Sequence, residues 1–335
     1  MIQINPTDTF PYSLNEAGET YVLHSDITTP GTAFVVNADN ITLDLNGKTV
    51  TFGTAGDMYR YGIAIPPGYH HVNPVWSSSD IPNVSNGKFP TIKNGSIIQG
   101  GAGSWCFGIG IYGGMGLTVD KVTIHMKGGD SWPITSDEGT GPYIITRCVI
   151  DDSESRIVTN RHQGRGIHIE GDYAIVHENV IDTIEEPAWD EYPSVFTHGI
   201  KLEGCNHAEI YDNAVTSYAI NNIPEAAGGA AALNVATFAG SYNHIFNNEF
   251  RAVNLFGSLY TIDNYGLYAT PLELLECQDG AVVEIHNNRF LSNDKFITFR
   301  ELNPLAPSTV FIRDNTFEQL VEEGVTPSGR PLLIS

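Results

Sequence analysis

The sequence predicts an all-β solenoid, and three observations carry that prediction. The stretch GIHIEG, Gly166 to Gly171, returns 33 residues later as GIKLEG, Gly199 to Gly204. A second motif, apolar residues around an Asn, recurs as IVHENVI, EIYDNAV, HIFNNEF, EIHNNRF and FIRDNTF between Ile175 and Phe317. The 335 residues include 34 Gly and only 17% charged side chains, which suits many short strands joined by tight turns.

Each repeat has the period of a strand. In GIHIEG, Ile167 and Ile169 face one way while His168 and Glu170 face the other. The second copy keeps Gly, Ile, Glu and Gly and exchanges His168 for Lys201, so the altered position points outward. In the second motif, Asn179, Asn213, Asn248, Asn288 and Asn315 are separated by 34, 35, 40 and 27 residues. That spread is too wide for an ankyrin or leucine-rich array and fits a solenoid whose turns carry loops of different length. Asn repeated at one turn predicts a ladder of side-chain amides between coils. Weaker copies lie upstream, as ITLDLNGKTV (Ile41 to Val50), TIKNGSII (Thr91 to Ile98), LTVDKVTI (Leu117 to Ile124) and YIITRCVI (Tyr143 to Ile150), where Cys148 holds the Asn position. The architecture expected is a single-domain right-handed parallel β-helix of about nine to eleven coils, with long loops over one face. The hand follows the general rule for parallel crossovers. Residues 1–40 are expected to cap the N-terminal edge, and residues 41–335 to form the helix.

The opening ITLDLNGKTVTFG and the Asn-bearing rungs resemble the pectate-lyase-like right-handed β-helix superfamily over nearly the whole chain. The resemblance implies the fold. It leaves function spread over polysaccharide lyases, glycoside hydrolases, epimerases and non-catalytic, tailspike-like adhesins.

The net charge of −22 argues against nucleic acid and anionic membranes as partners. No apolar run is long enough to span a bilayer. The N-terminal MIQINPTDTF has neither a basic n-region nor an apolar h-region, and VTPSGRPLLIS does not read as a finished cap. The chain is therefore read as a mature or excised form of an extracellular or periplasmic protein, with an oligomer as one way to cover the C-terminal end. Cys106, Cys148, Cys205 and Cys277 match no zinc or CxxC spacing and are expected as buried free thiols.

Aligning the rungs gives one outward column, Ala64, Gly110, Thr135, His168, Lys201 and Asn234, with Arg300 at its far end. Two positions along lies a second, Tyr112, Asp137, Glu170 and Glu203. Coils about 4.8 Å apart place His168 beside Lys201 and Glu170 beside Glu203. The two carboxylates then share a proton, share a cation such as Ca²⁺, or are neutralised by Lys201 and nearby arginines. The small residues of flanking rungs are expected to leave room for a ligand. Arg147, Arg156, Arg161 and Arg165 fall within 19 residues, followed by His162, His168, His198 and Lys201, a basic cluster suited to an anionic substrate. Loops at Pro66 to Pro90, Glu185 to His198 and Leu255 to Pro271 carry Trp76, Trp189, Tyr192, Tyr260 and Tyr265, which suit stacking on sugar rings. The alternatives are a solvated charge ladder, arginines paired with Asp151, Asp152 and Glu154, and loops that bury their own aromatics. The adjacent His70 and His71 read as incidental.

Three functions fit. The leading one is a lyase cleaving a uronic-acid polymer by β-elimination. Lys201 or His168 is then the base, Arg161, Arg165, His162 and His198 bind the substrate with Trp189 and Tyr192, and Glu170, Glu203 and Asp137 hold Ca²⁺. That scheme resembles the calcium-assisted β-helix lyases, but no Arg lies between Arg165 and Arg251 to partner Lys201 from the following coil. The second is a glycoside hydrolase or epimerase using Asp137, Glu170 and Glu203. The third is a non-catalytic β-helix that binds a polysaccharide or oligosaccharide.

Overall fold

Strand alternation and the Asn repeat together dictate a stack of coils, and the computed structural model has that form. It describes residues 1–65, 87–113, 115–128, 131–137, 140–151, 165–184, 194–219, 227–236, 240–254, 268–275, 280–294, 296–300 and 309–320. Among these residues there is no helix, and hence none long and apolar enough to cross a membrane. The strands form two sheets, one of ten strands and one of nineteen, with parallel pairings. The chain is an all-β parallel β-helix.

The ten-stranded sheet, called here the front sheet, carries the GIHIEG rungs. Its central strands are Phe107–Tyr112, Trp132–Asp137, Arg165–Glu170, Ser194–Glu203, Ala227–Ala236 and Tyr268–Leu275. The inward residues Ile63, Ile109, Ile134, Ile167, Ile200, Leu233, Leu272 and Ile297 stand in register as one buried apolar ladder. Each such side chain contributes about 1.5–3 kcal/mol by leaving water.

The nineteen-stranded sheet runs through two strands per coil. Between them sits a residue in the left-handed region, Glu178, Asp212, Asn247, Asn287 or Asp314, with φ of 53–57° at this position along the stack from Arg147. The Asn ladder follows immediately. Asn179 Nδ2 donates to Asn213 Oδ1, Asn213 to Asn248 and Asn248 to Asn288, each at 2.9 Å, and Asn288 to Asn315 at 3.0 Å. Each Oδ1 also accepts the backbone N–H of the preceding Asn, and each Nδ2 reaches a buried carbonyl. Cys148 begins this column, its N–H donating to Asn179 Oδ1. Cys106, Cys148 and Cys205 are buried thiols, and burial pushes those of Cys148 and Cys205 up to about 12. Cys277 lies outside the described residues.

Residues 1–40 supply rungs of their own. Tyr12–Leu14 pairs with Phe34–Val36, which pairs with Tyr61–Ile65, and Ile2–Ile4 pairs with Thr20–Leu23.

The repeated Gly of the hexapeptide has a steric cause. A Cβ on Gly166 would stand 2.5 Å from the carbonyl oxygen of Gly199, and one on Gly199 2.7 Å from that of Ala232 and 2.2 Å from Val215. Gly62 and Gly108 meet the next coil in the same way. Gly199→Ala is therefore expected to cost about 1–3 kcal/mol or more by forcing adjacent coils apart, read as a lower denaturant midpoint. Unchanged stability would show that the coil contact yields freely.

Candidate functional site

The outer face of the front sheet carries an aromatic part and a polar part. At the N-terminal side, Tyr61, Phe107 and Trp132 occupy one register position on successive rungs. Tyr61 stacks on Phe107 at 4.9 Å, and Phe107 meets Trp132 edge-on at 5.6 Å. With Val35 and Ala64 they form a second apolar cluster, and the partly buried Trp105 and Tyr112 pack against it. Ala230 and Ala269 of this sheet meet Ala219 and Ala252 of the nineteen-stranded sheet in a small apolar cluster. Beside the aromatic rungs, toward the C-terminus, lies a polar network.

His168, Lys201 and Asn234 are register neighbours on three consecutive coils, as the hexapeptides predicted. Glu170 and Glu203 are register neighbours beside them. His168 Nε2 lies 2.9 Å from Glu203 Oε2, and Lys201 Nζ donates to the same oxygen at 2.5 Å. An ionised carboxylate only accepts, so Nε2 carries the proton in that contact. The other ring nitrogen, Nδ1, stands 3.4 Å from Thr135 Oγ1, and the ring meets Trp132 edge-on at 5.5 Å. The aromatic rungs thus wall one side of the histidine.

Exposure separates the three groups. The His168 and Lys201 side chains are 6% and 11% exposed, and that of Glu203 is 40% exposed. The column faces away from the helix core yet is not solvated. This corrects the expectation of open, outward-pointing bases. Periodicity reports the side of a strand and not what covers it. The hydrogen bond from His168 is the chief cause that holds the Glu203 carboxyl well below the usual carboxylate range; burial opposes it, and the hydrogen bond and charge of Lys201 add to it. Of the two adjacent glutamates, Glu203 takes both of these donors on one oxygen.

A pH dependence follows. Glu203 binds its proton more weakly in the folded chain than in the unfolded one. Its contribution to stability is present above about pH 4.3 and is lost as pH falls below that value. Glu203→Gln is expected to flatten the acid limb of the stability curve, measured by denaturant unfolding across pH. An unchanged acid limb would mean the carboxylate titrates alike in both states.

The next coil holds a second group. Glu273 is the register partner of Asn234, and its Oε2 accepts from Asn234 Nδ2 at 2.6 Å. His198 Nε2 lies 3.5 Å from that oxygen, and both the His198 and Glu273 side chains are buried. Sequence alignment missed Glu273, although it stands two residues after Pro271 as Thr135 stands two after Pro133. The signal available was the alternation of PLELL, Pro271 to Leu275.

Other expectations are corrected. Arg300 pairs with Leu275 and Thr298 with Glu273, so Thr298 and not Arg300 continues the Lys201 column. The space expected beside the small residues is filled: a Cβ on Gly110 would meet the Tyr61 ring at 2.9 Å, and Ala64 and Asn234 are buried. Arg147 leaves the basic cluster, because it sits on the nineteen-stranded sheet and grips Asp120 through Nε at 2.8 Å and Nη2 at 2.7 Å. Glu170 is half-buried, and its backbone N–H donates to Ser136 Oγ at 3.0 Å. Asp137 pairs with Tyr112, and Arg165 with His198, through the backbone; their side chains lie outside the description. Arg156, Arg161, His162, Trp189 and Tyr192 lie outside the described residues, as do His70, His71, Trp76, Tyr260 and Tyr265.

Fold and site together define a parallel β-helix with a buried ionic network on the outer face of one sheet. No protein-family model matches the chain, and no curated protein matches it. Among solved structures, the Dettilon tailspike protein (gp208) is similar at 11% identity with a TM-score of 0.40. The match covers 92% of this chain and 60% of that one, so this chain spans less than two thirds of that protein's length.

Proposed function

We propose that the front sheet binds a polysaccharide along its outer face and that Glu203 is the reactive carboxylate of a glycosidic-bond cleavage. One observation carries this reading: Glu203 is the exposed end of a network whose other members, His168 and Lys201, are buried and spend their protons holding it ionised. Glu170 on the adjoining coil supplies a second carboxyl. Neighbouring strands at about 4.8 Å bring two such groups to roughly the 5 Å separation of retaining glycosidases. In that reaction Glu170 gives its proton to the leaving glycosidic oxygen while a Glu203 oxygen bonds to the anomeric carbon. Water, deprotonated by Glu170, then breaks the ester and frees Glu203. Trp105 and Tyr112, partly exposed at the edge of the aromatic rungs, offer faces for a sugar ring.

The lyase reading asks Lys201 or His168 to act as a base. Lys201 holds a salt bridge at 2.5 Å, and His168, which donates through Nε2 to the same carboxylate, turns its Nδ1 to Thr135 Oγ1 at 3.4 Å, so neither turns a lone pair toward solvent. Ca²⁺ on Glu203 would stand against the Lys201 ammonium at the same oxygen, and no step here runs through a metal. The test is a panel of acidic and neutral polysaccharides, with added Ca²⁺ or with EDTA, followed by reducing ends and by ultraviolet absorbance. Reducing ends without absorbance support the proposal. Rising absorbance on a uronate polymer overturns it in favour of β-elimination, and binding without either signal overturns it in favour of a non-catalytic module.

A further inference from the structure

A second cluster stands on the outer face of the nineteen-stranded sheet, apart from the front sheet. His244 lies on the strand Tyr242–Phe246, and Glu284 and His286 on the next, Val282–His286. His244 and Glu284 are register partners, and Glu284 and His286, two apart on one strand, share its outer face. One ligand atom from each residue lies within 4.8 Å of the others. The two imidazole Nε2 atoms are 2.6 Å apart. Both cannot carry protons toward each other, so at least one presents a lone pair.

The rings are held in place from below. His177, Tyr211, Phe246 and His286 stack on successive coils with centroids 4.8, 5.0 and 5.6 Å apart. Phe246 also lies 4.5 Å from the His244 ring. Stacking fixes both imidazoles without using their nitrogens, which is how a ligand set is organised before its ion arrives. Arg313, the register partner of His286, directs its guanidinium to Asp314 at 3.2 Å.

We infer that His244, Glu284 and His286 form a binding site for a divalent transition-metal ion, with two imidazole nitrogens and one carboxylate as ligands. Metal–nitrogen bonds of about 2.0–2.1 Å put two nitrogens about 2.9 Å apart at a right angle and about 3.3 Å apart in a tetrahedron. The observed 2.6 Å lies nearer the right-angled value. Tetragonal ions, Cu²⁺ and Ni²⁺, ask the rings to separate by roughly 0.3 Å, and tetrahedral Zn²⁺ by roughly 0.7 Å, so the former fit better.

The test is calorimetric titration of the purified chain with Cu²⁺, Ni²⁺ and Zn²⁺ in a non-chelating buffer. The expected result is a saturable site that binds Cu²⁺ and Ni²⁺ more tightly than Zn²⁺. His286→Phe keeps the ring in the stack and removes the ligand, and it should weaken Cu²⁺ binding at least about tenfold. Glu284→Gln leaves both rings and should weaken it about tenfold as well, which keeps the test sharp if a histidine variant fails to fold. The paramagnetic resonance of the Cu²⁺ form should show coupling to two nitrogens, reduced to one in His286→Phe. No saturable binding of any of the three ions overturns the inference. So does binding unchanged in both variants, or binding lost only in His70→Ala or His71→Ala.

Discussion

Asn213→Ala is expected to lower the unfolding free energy by about 3–5 kcal/mol. The side chain sits in the interior of the amide ladder. Its Oδ1 accepts from the backbone N–H of Asn179 at 3.1 Å and from Asn179 Nδ2 at 2.9 Å. Its Nδ2 donates to Val176 O at 2.8 Å, to Tyr211 O at 2.9 Å and to Asn248 Oδ1 at 2.9 Å. Alanine removes all five contacts and leaves the Asn179 N–H buried with no acceptor, which alone costs about 1–3 kcal/mol. Asn315→Ala at the far end is the control. Asn315 is half-buried and ends the ladder among the described residues, so its loss should cost less than half as much. Equal costs at the two positions would mean that the ladder does not act as a linked column.

Glu203→Gln is expected to reduce glycan cleavage about 10³-fold or more while the β-helix stays folded. Glutamine fills the same space and can accept a hydrogen bond from Lys201 or His168, but it cannot attack an anomeric carbon. It also removes the carboxylate that two donors on adjacent coils share. The variant should therefore be less stable near neutral pH as well as inactive. Glu209→Gln is the matching control, since Glu209 is an exposed carboxylate on the other sheet. A Glu203→Gln protein that cleaves at the wild-type rate removes Glu203 from the chemistry.

Much of this arrangement is legible in the sequence. The hexapeptide pair sets His168 beside Lys201 and Glu170 beside Glu203 because strand period and coil register are simple integers, and the structure keeps that register. The Asn repeat marks the ladder because only a side chain with both a donor and an acceptor can chain itself between coils. What period cannot carry is cover. Nothing in GIKLEG says that Lys201 is nearly buried, or that its charge goes to Glu203 two residues on. The aromatic rungs were also readable in principle: Tyr61, Phe107 and Trp132 each precede the Gly or Pro that opens a front-sheet strand. They escape an alignment built on outward polar residues. Glu273 was readable too, since Thr270-Pro271 opens its rung as Trp132-Pro133 opens that of Thr135.

What Glu203 and Glu170 do together decides the mechanism. The most direct measurement is proton NMR of the first products released from a cleaved polysaccharide, before the sugar mutarotates. Two carboxyl groups on adjacent coils, one held ionised, predict a product with the retained anomeric configuration and no unsaturated sugar. An inverted anomer would contradict the adjacent-coil pairing, and a 4,5-unsaturated uronate would contradict the choice of Glu203 over Lys201 as the reactive group.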